Sequence, residues 1–324
     1  GMLYLSIVST GFYSVLKEII YRIAYCDKFI RSYKPSVTLA YPEETYSCLA
    51  SLYASKRYGI PTMTFMQNVM SDHELYNVKN ADKIAIYGTH GIEMLRKLGF
   101  SDEYWILTGN PKLDTISGRV LSEDLRYVKN LIPNWDGRPL ILLATHLLIS
   151  DGKISVANFL SALYSDKSRW YFPIIKLHPD DKIEDYESIL NEQAPGLDIP
   201  MLKKCDLYAL LNVSEIVITG FSTVGAEAAL FNKPVMVLNF SGEPFIVDYA
   251  NEGIAVEVSE IRSILPILRN IQFDENVRNK LAKGREKFIE RYAYKLDGQS
   301  GSRIIDALIE LGGCNCEFSD STRM

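Results

Sequence analysis

Short apolar runs bounded by turn residues alternate along this chain with stretches whose apolar residues recur at helical spacing. Residues 13–33 carry Val15, Leu16, Ile19, Ile20 and Ile23 on such a repeat and predict a helix. Lys34-Pro35 ends it, because the residue before a proline is pushed out of helical backbone. A short buried strand follows at 37–41, and Pro42-Glu43-Glu44 opens a helix running to about Tyr58. Gly59-Ile60-Pro61 then turns the chain into a strand at 62–66 that ends at Gln67-Asn68. A strand at 83–87, a helix from Thr89-His90-Gly91 to Leu98 and a strand at 104–107 follow.

Residues 114–138 combine polar helix signals at Ser122-Glu123-Asp124-Leu125 with Gly and Pro punctuation between Pro133 and Pro139, which marks a domain boundary. The alternation then restarts. A strand at 140–144 exits at Thr145-His146 and leads to a helix at 154–164; a strand at 171–177 exits at His178-Pro179-Asp180-Asp181 and leads to a helix at 185–193. A short helix at 206–211, a strand at 216–219, a small-residue helix at 223–231 and a strand after Lys233-Pro234 come next. A last strand at 254–258 precedes helical segments at 261–271, 275–292 and 300–311. Such alternation predicts an α/β protein of doubly wound parallel sheets, divided at 1–117 and 118–292 with a closing segment at 293–324. With four strands the first domain is short for its kind, as a truncated one would be.

Composition narrows the class. A chain of 324 residues, 47% hydrophobic and 23% charged, has the make-up of a soluble globular protein with room for two cores. A net charge of −5 and a pI near 5.6 argue against broad electrostatic binding of nucleic acid. No apolar run approaches the roughly 18 residues of a membrane span, and the N-terminus has no basic region followed by a long apolar stretch, so no signal peptide is expected. The five cysteines, Cys26, Cys48, Cys205, Cys314 and Cys316, are scattered and odd in number, which suggests reduced thiols in a cytoplasmic protein. Cys314 and Cys316 have no second pair and no nearby His, so no metal is expected there.

The chemistry gathers at strand exits. After the strand at 216–219, Gly220-Phe221-Ser222-Thr223 turns into a helix, and the free N–H groups of a helix start hold a phosphate well. Glu227 lies four residues past Thr223 and faces the same crevice if that helix forms. The plainer alternative is a Ser/Thr pair that only caps a helix. Two further exits carry phosphate-friendly residues, Thr145-His146 and His178-Pro179, and in a parallel sheet all three lie on one edge. Imidazole there can donate to a phosphate oxygen and stabilise a departing diphosphate. The chain has no Walker-type Gly-Lys loop, no G-x-S-x-G elbow and no metal-ligand spacing.

An ordered set of segments carries a resemblance. It comprises Lys34-Pro35-Ser36-Val37, Gly59-Ile60-Pro61, the run from Leu107 through Gly109-Asn110-Pro111 to Asp114, Lys176-Leu177-His178-Pro179, and Asp206-Leu207-Tyr208-Ala209-Leu210-Leu211 leading into 218–234. Asp297-Gly298-Gln299-Ser300-Gly301-Ser302-Arg303-Ile304 closes it. Together they resemble two-domain glycosyltransferases of the B-type fold, closest to the CDP-glycerol glycerophosphotransferase and capsule polysaccharide transferase group and more distantly UDP-GlcNAc 2-epimerase. The resemblance implies two Rossmann-like domains, acceptor-side at 1–117 and donor-binding at 118–292, with the final helix crossing back to the first.

It further implies a transferase moving a sugar or glycerol-phosphate unit from a CDP-, CMP- or UDP-linked donor to a cell-surface polymer or lipid-linked acceptor. Ser222 and Thr223 would hold the donor phosphate, with Thr145, His146 and Gly220 beside them. Glu227 would take the ribose hydroxyls, and His178 would contact the phosphate and assist leaving-group departure. No metal or other cofactor would be needed. Where relatives often carry Gln-His-Gly this chain has Gln67-Asn68-Val69, which moves the acceptor-side base to Glu43 or Glu44, with Asp72 and His73 as further options. The setting would be cytoplasmic, at the inner face of the membrane where the acceptor is lipid-linked. Two other readings stay open. One is a hexose 2-epimerase, although Leu147-Leu148-Ile149 stand where an Arg and a Glu-Asn would be wanted. The other is a nucleotide-binding module without turnover.

Overall fold

The chain divides into two units, one of Gly1–Asp114 with Arg291–Met324 and one of Thr115–Glu290. The structure, a computed structural model, describes residues 2–41, 45–65, 80–145, 151–220, 222–242 and 248–313.

The first unit opens with helix α1 (Met2–Tyr33), which starts well before the periodicity predicts. Ser9-Thr10-Gly11 interrupts the apolar repeat, and a glycine costs a helix only about 1 kcal/mol. The helix ends as expected at Lys34, whose left-handed backbone (φ 44°) turns the chain into Pro35. Strands β1 (Thr38–Ala40), β2 (Thr62–Phe65), β3 (Lys83–Ile86) and β4 (Trp105–Leu107) form one parallel sheet in that order. Helix α2 (Tyr46–Arg57) joins the first two, capped by Thr45, whose hydroxyl accepts from Cys48 N at 3.3 Å; helix α3 (Thr89–Lys97) joins the last two. The predicted helix start at Pro42-Glu43-Glu44 lies outside the described residues.

After a single turn, α4 (Asp114–Ser117), the second unit begins with helix α5 (Leu121–Leu131). Strands β5 (Leu140–Ala144), β6 (Phe172–Lys176), β7 (Met201–Leu202), β8 (Ile216–Thr219), β9 (Val235–Leu238) and β10 (Ala255–Val258) make its sheet. All pairs are parallel, in the order β10-β9-β8-β5-β6-β7. Numbered within the unit this is 3-2-1-4-5-6, the Rossmann order, with its reversal point between β5 and β8. The connecting helices are α6 (Asp151–Ser165), α7 (Ile183–Gln193), α8 (Leu207–Val213), α9 (Val224–Leu230) and α10 (Ile264–Phe273). All five residues of β5 are buried, as a central strand covered on both faces requires. The core joins Ile141, Leu143, Ile175, Ile218, Met236 and Leu238 from the sheet to Phe159, Leu163, Tyr186 and Leu268 from the helices. Only β7 has no counterpart in the apolar pattern, being two residues long.

Helix α11 (Glu275–Tyr292) then returns the chain to the first unit. Gly88 there has no room for a side chain, since a Cβ would lie 2.2 Å from the Arg291 carbonyl oxygen. Helix α12 (Ser300–Leu311) lays Ile304 and Ala307 against Met63 and Ala85 of β2 and β3. Its start is capped by Asp114, whose carboxylate accepts from Ser300 N at 3.0 Å and Gly301 N at 2.8 Å. Gly109, at φ +82°, would put a Cβ 2.6 Å from Ser300 Oγ, and Arg303 donates to the Thr108 carbonyl at 3.0 Å. Two of the segments that carry the resemblance, 107–114 and 297–304, are thus one contact. Both serve to close the first unit.

Candidate functional site

Strands β6, β5 and β8 are neighbours, with Leu143 paired to Ile175 on one side and to Ile218 on the other. Their C-terminal ends therefore line one edge at the reversal point of the sheet, where open α/β sheets hold ligands. At about 4.8 Å between strands, the exits of β6 and β8 are about 10 Å apart, within reach of one extended small molecule.

At the β6 exit, residues 178–181 form a turn closed by Asp181 N donating to the His178 carbonyl at 3.0 Å. Asp181 is buried, 5% exposed, and its Oδ2 accepts from His178 N at 3.0 Å. The same oxygen accepts from the Thr145 hydroxyl, while Thr145 Oγ1 accepts from His178 N at 2.8 Å. For the buried Tyr186, burial first and the Asp181 carboxylate second push its ionisation up. Lys203 Nζ clamps the far side, donating to the Asp181 carbonyl at 2.6 Å. The half-exposed His178 ring accepts Asp180 N–H at Nδ1, at 3.2 Å. A neutral ring with Nδ1 accepting carries its proton on Nε2, so the free nitrogen is a donor.

At the β8 exit, Gly220 leads to a half-buried Ser222 and an exposed Thr223. The residue that closes the start of α9 is Ser222, whose Oγ accepts from Val224 N at 3.3 Å; the Thr223 hydroxyl makes no cap bond. Tyr249 pins this turn, donating from its hydroxyl to the Ser222 carbonyl at 3.0 Å. Its buried ring lies so close to Gly225 that a Cβ there would meet Cε2 at 2.6 Å. Burial pushes the Tyr249 hydroxyl up to about 12, so it remains a donor throughout the physiological range. Gly220 itself has room for a Cβ, with Leu238 O the nearest atom at 3.6 Å. One turn into α9, Glu227 Oε1 accepts from Tyr208 Oη at 3.4 Å, and the Tyr208 ring stands edge-on to Phe231. Burial and then the Glu227 carboxylate push the Tyr208 hydroxyl up, which keeps it a donor to that carboxylate.

Of the residues that sequence singled out, Thr145, His178, Gly220, Ser222, Thr223 and Glu227 belong to this one edge; His146, Glu43 and Glu44 lie outside the described residues. Thr145 is engaged beneath the edge, with its hydroxyl hydrogen on Asp181 and its oxygen on His178 N. The sequence assigns no site role to Asp181 or Tyr208, which stand only inside the exit and resemblance segments, or to Tyr249. Asp181 had a faint signal, an acidic residue three positions after an exit histidine; Tyr249 had none, standing 24 residues after the glycine it covers. Among the described residues no group of three His, Cys, Asp or Glu side chains is arranged to hold a metal ion.

The chain matches none of the curated protein sequences. In the solved structures it is similar to S. aureus MnaA in complex with UDP, at 18% identity over 90% of this chain and 80% of that one, with a TM-score of 0.63. It is also similar to UDP-GlcNAc 2-epimerase from Neisseria meningitidis bound to UDP-GlcNAc, at 16% identity over 90% and 81% of the two chains and a TM-score of 0.60. A variant of the wall teichoic acid polymerase TagF soaked with CDPG aligns at 14% identity over 86% and 72% of the chains, with a TM-score of 0.59. At these identities the likenesses establish the fold, two parallel α/β sheets of the B-type glycosyltransferase kind. The family model described as CDP-Glycerol:Poly(glycerophosphate) glycerophosphotransferase matches residues 54–310, more than half of the chain. The chain is therefore a transferase belonging to the CDP-glycerol:poly(glycerophosphate) glycerophosphotransferase family.

Proposed function

We propose that the β5-β6-β8 edge binds the diphosphate of a nucleotide-activated donor, and that the enzyme transfers a sugar or glycerol-phosphate unit from it to a cell-surface polymer or lipid-linked acceptor. Ser222 and Thr223 hold the donor phosphate, with Gly220 beside them and Thr145 beneath, and His146 is a further candidate for a phosphate contact. Glu227 accepts from the ribose hydroxyls. His178 donates from Nε2 to the phosphate that leaves, so negative charge developing on its oxygen meets a ready donor. For a CDP-glycerol donor, the acceptor hydroxyl oxygen bonds to the glycerol phosphorus, the bond from that phosphorus to the bridging oxygen breaks, and CMP departs. The acceptor proton passes to a carboxylate, for which Glu43 and Glu44 are the candidates. Neither a metal nor another cofactor is required on this reading, because the His178 donor meets the developing charge. We place this chemistry in the cytoplasm, at the inner face of the membrane where the acceptor is lipid-linked. Among the described residues no helix is long and apolar enough to cross a membrane.

The observation that supports this most is the Asp180 N–H on His178 Nδ1, which leaves Nε2 as a donor on the edge. His178→Ala should lower kcat for release of CMP from CDP-glycerol by about 10²- to 10⁴-fold while the circular dichroism spectrum stays that of the parent. Unchanged turnover would reject the role. Hexose 2-epimerisation is the second reading, raised by the fold likeness to the epimerases. Product analysis after incubation with UDP-GlcNAc separates the two, and tight binding of CDP-, CMP-, UDP- and GDP-linked donors without turnover would instead favour a module that only binds.

A further inference from the structure

We propose that Asp181 is the positioning residue of His178, acting with Thr145 from beneath the sheet edge. The inference rests on the reading of His178 as a donor-phosphate residue, although its own test does not depend on turnover.

A buried carboxylate is retained only where hydrogen bonds replace its lost hydration, and Asp181 has them. Oδ2 takes His178 N–H at 3.0 Å and the Thr145 hydroxyl. These donors come from the ends of β5 and β6, so the carboxylate ties two strand exits at one point. Its own N–H closes the turn onto the His178 carbonyl at 3.0 Å, and Lys203 Nζ holds its carbonyl at 2.6 Å. With both ends of the turn fixed, the one intervening N–H that reaches the ring, that of Asp180, is presented to Nδ1 at 3.2 Å. The Asp180 carboxylate lies farther from Nδ1, with Oδ2 at 3.6 Å, so the nearer N–H selects the tautomer protonated at Nε2. A negative charge below a phosphate-binding edge opposes phosphate electrostatically, so a turn serving the fold alone would be better made with Asn or Ser. What the carboxylate adds is two strong acceptor sites on one atom, which hold the His178 backbone and the Thr145 rotor together.

Long-range ¹H–¹⁵N correlation spectra of the histidine rings in the full chain test this, at a pH where the ring is neutral and with His178 assigned from a His178→Gln spectrum. In the parent, His178 should show a single tautomer protonated at Nε2. Asp181→Ala and Thr145→Val should each turn it into a tautomer mixture, whereas Thr145→Ser, which keeps the hydroxyl, should restore the parent pattern. In CDP-glycerol turnover the same two variants should lower kcat about tenfold or more with a smaller change in KM, as loss of a transition-state donor requires. If the His178 ring signals of Asp181→Ala and Thr145→Val match the parent, the positioning role is overturned, whatever happens to activity. If Asp181→Ala does not fold, the Thr145→Val and Thr145→Ser pair decides alone. A tautomer shift in a protein whose His178→Gln variant still turns over at the parent rate would instead leave the positioning intact and remove His178 from catalysis.

Discussion

Gly225 shows how tightly the turn after β8 is held. A methyl group on its Cα would need the space of Tyr249 Cε2 and Cδ2, which would lie 2.6 and 2.9 Å from it. Gly225→Ala should therefore cost about 1–3 kcal/mol in urea unfolding, the range for overpacking a core. Tyr249→Phe should cost about 1 kcal/mol, through loss of the bond to the Ser222 carbonyl, and should weaken nucleotide binding measured by calorimetry. Equal nucleotide affinity in Tyr249→Phe and the parent would show that the turn does not need this pin. At this scale legibility follows distance along the chain. His178 and Ser222 stand directly after apolar runs, so the pattern that marks a strand also marks its exit. The groups that fix them, Tyr249 and in part Asp181, are set by tertiary contact and leave no local trace.

Among the elements, α5 and α8 are joined by a cluster of charged and polar side chains as well as by packing. Arg119, just before α5, donates to Asp124 at 2.6 and 2.9 Å and to Asp206, the cap of α8, at 2.7 Å; Asn212 of α8 donates to Asp124 at 2.7 Å. Burial alone would raise the Asp124 carboxyl, but the bonds from Arg119 and Asn212 outweigh it and hold the group below its usual range. Because the folded-state value is depressed, the stabilisation is present above the unfolded carboxylate value of about 3.9 and is lost as pH falls through the lower folded value. Asp124→Asn should cost about 2–3 kcal/mol at neutral pH, with the gap to the parent closing below about pH 4 in urea titrations. A gap independent of pH would mean that the carboxylate's charge is not involved. From sequence this region offers only polar helix signals and a boundary, because Asp206 and Asn212, which join Arg119 and Asp124 into one cluster, belong to α8 and its cap. Strands such as β5 and β8, by contrast, are legible as unbroken apolar runs, since both of their faces are covered.

For the whole molecule, alternation of strands and helices is enough to call for parallel sheets, but not for their order. The 3-2-1-4-5-6 arrangement, and with it the adjacency of the three exits, comes from which strand pairs with which. Ligand binding to that edge should register globally. A nucleotide that binds only the folded state adds about 2.7 kcal/mol at one hundred times its Kd, so the melting temperature should climb steadily with CDP concentration. Slowed amide exchange should appear in 176–181 and 219–227. Protection confined to the first unit would move the donor site out of the β5-β6-β8 edge.

The cap that Asp114 places on α12 has a consequence for how the protein is made. Chains generally fold domain by domain from the N-terminus as they leave the ribosome. Here that order is inverted, because the first unit is completed by residues that follow the whole of the second. While α12 is still to be synthesised, Met63 and Ala85 lack the cover of Ile304 and Ala307, and the Asp114 carboxylate lacks the two N–H groups it is placed to receive. A nascent chain that has just passed Glu290 thus holds all six strands described in its second unit but an unfinished first one. The unit that begins the chain is the last to be sealed.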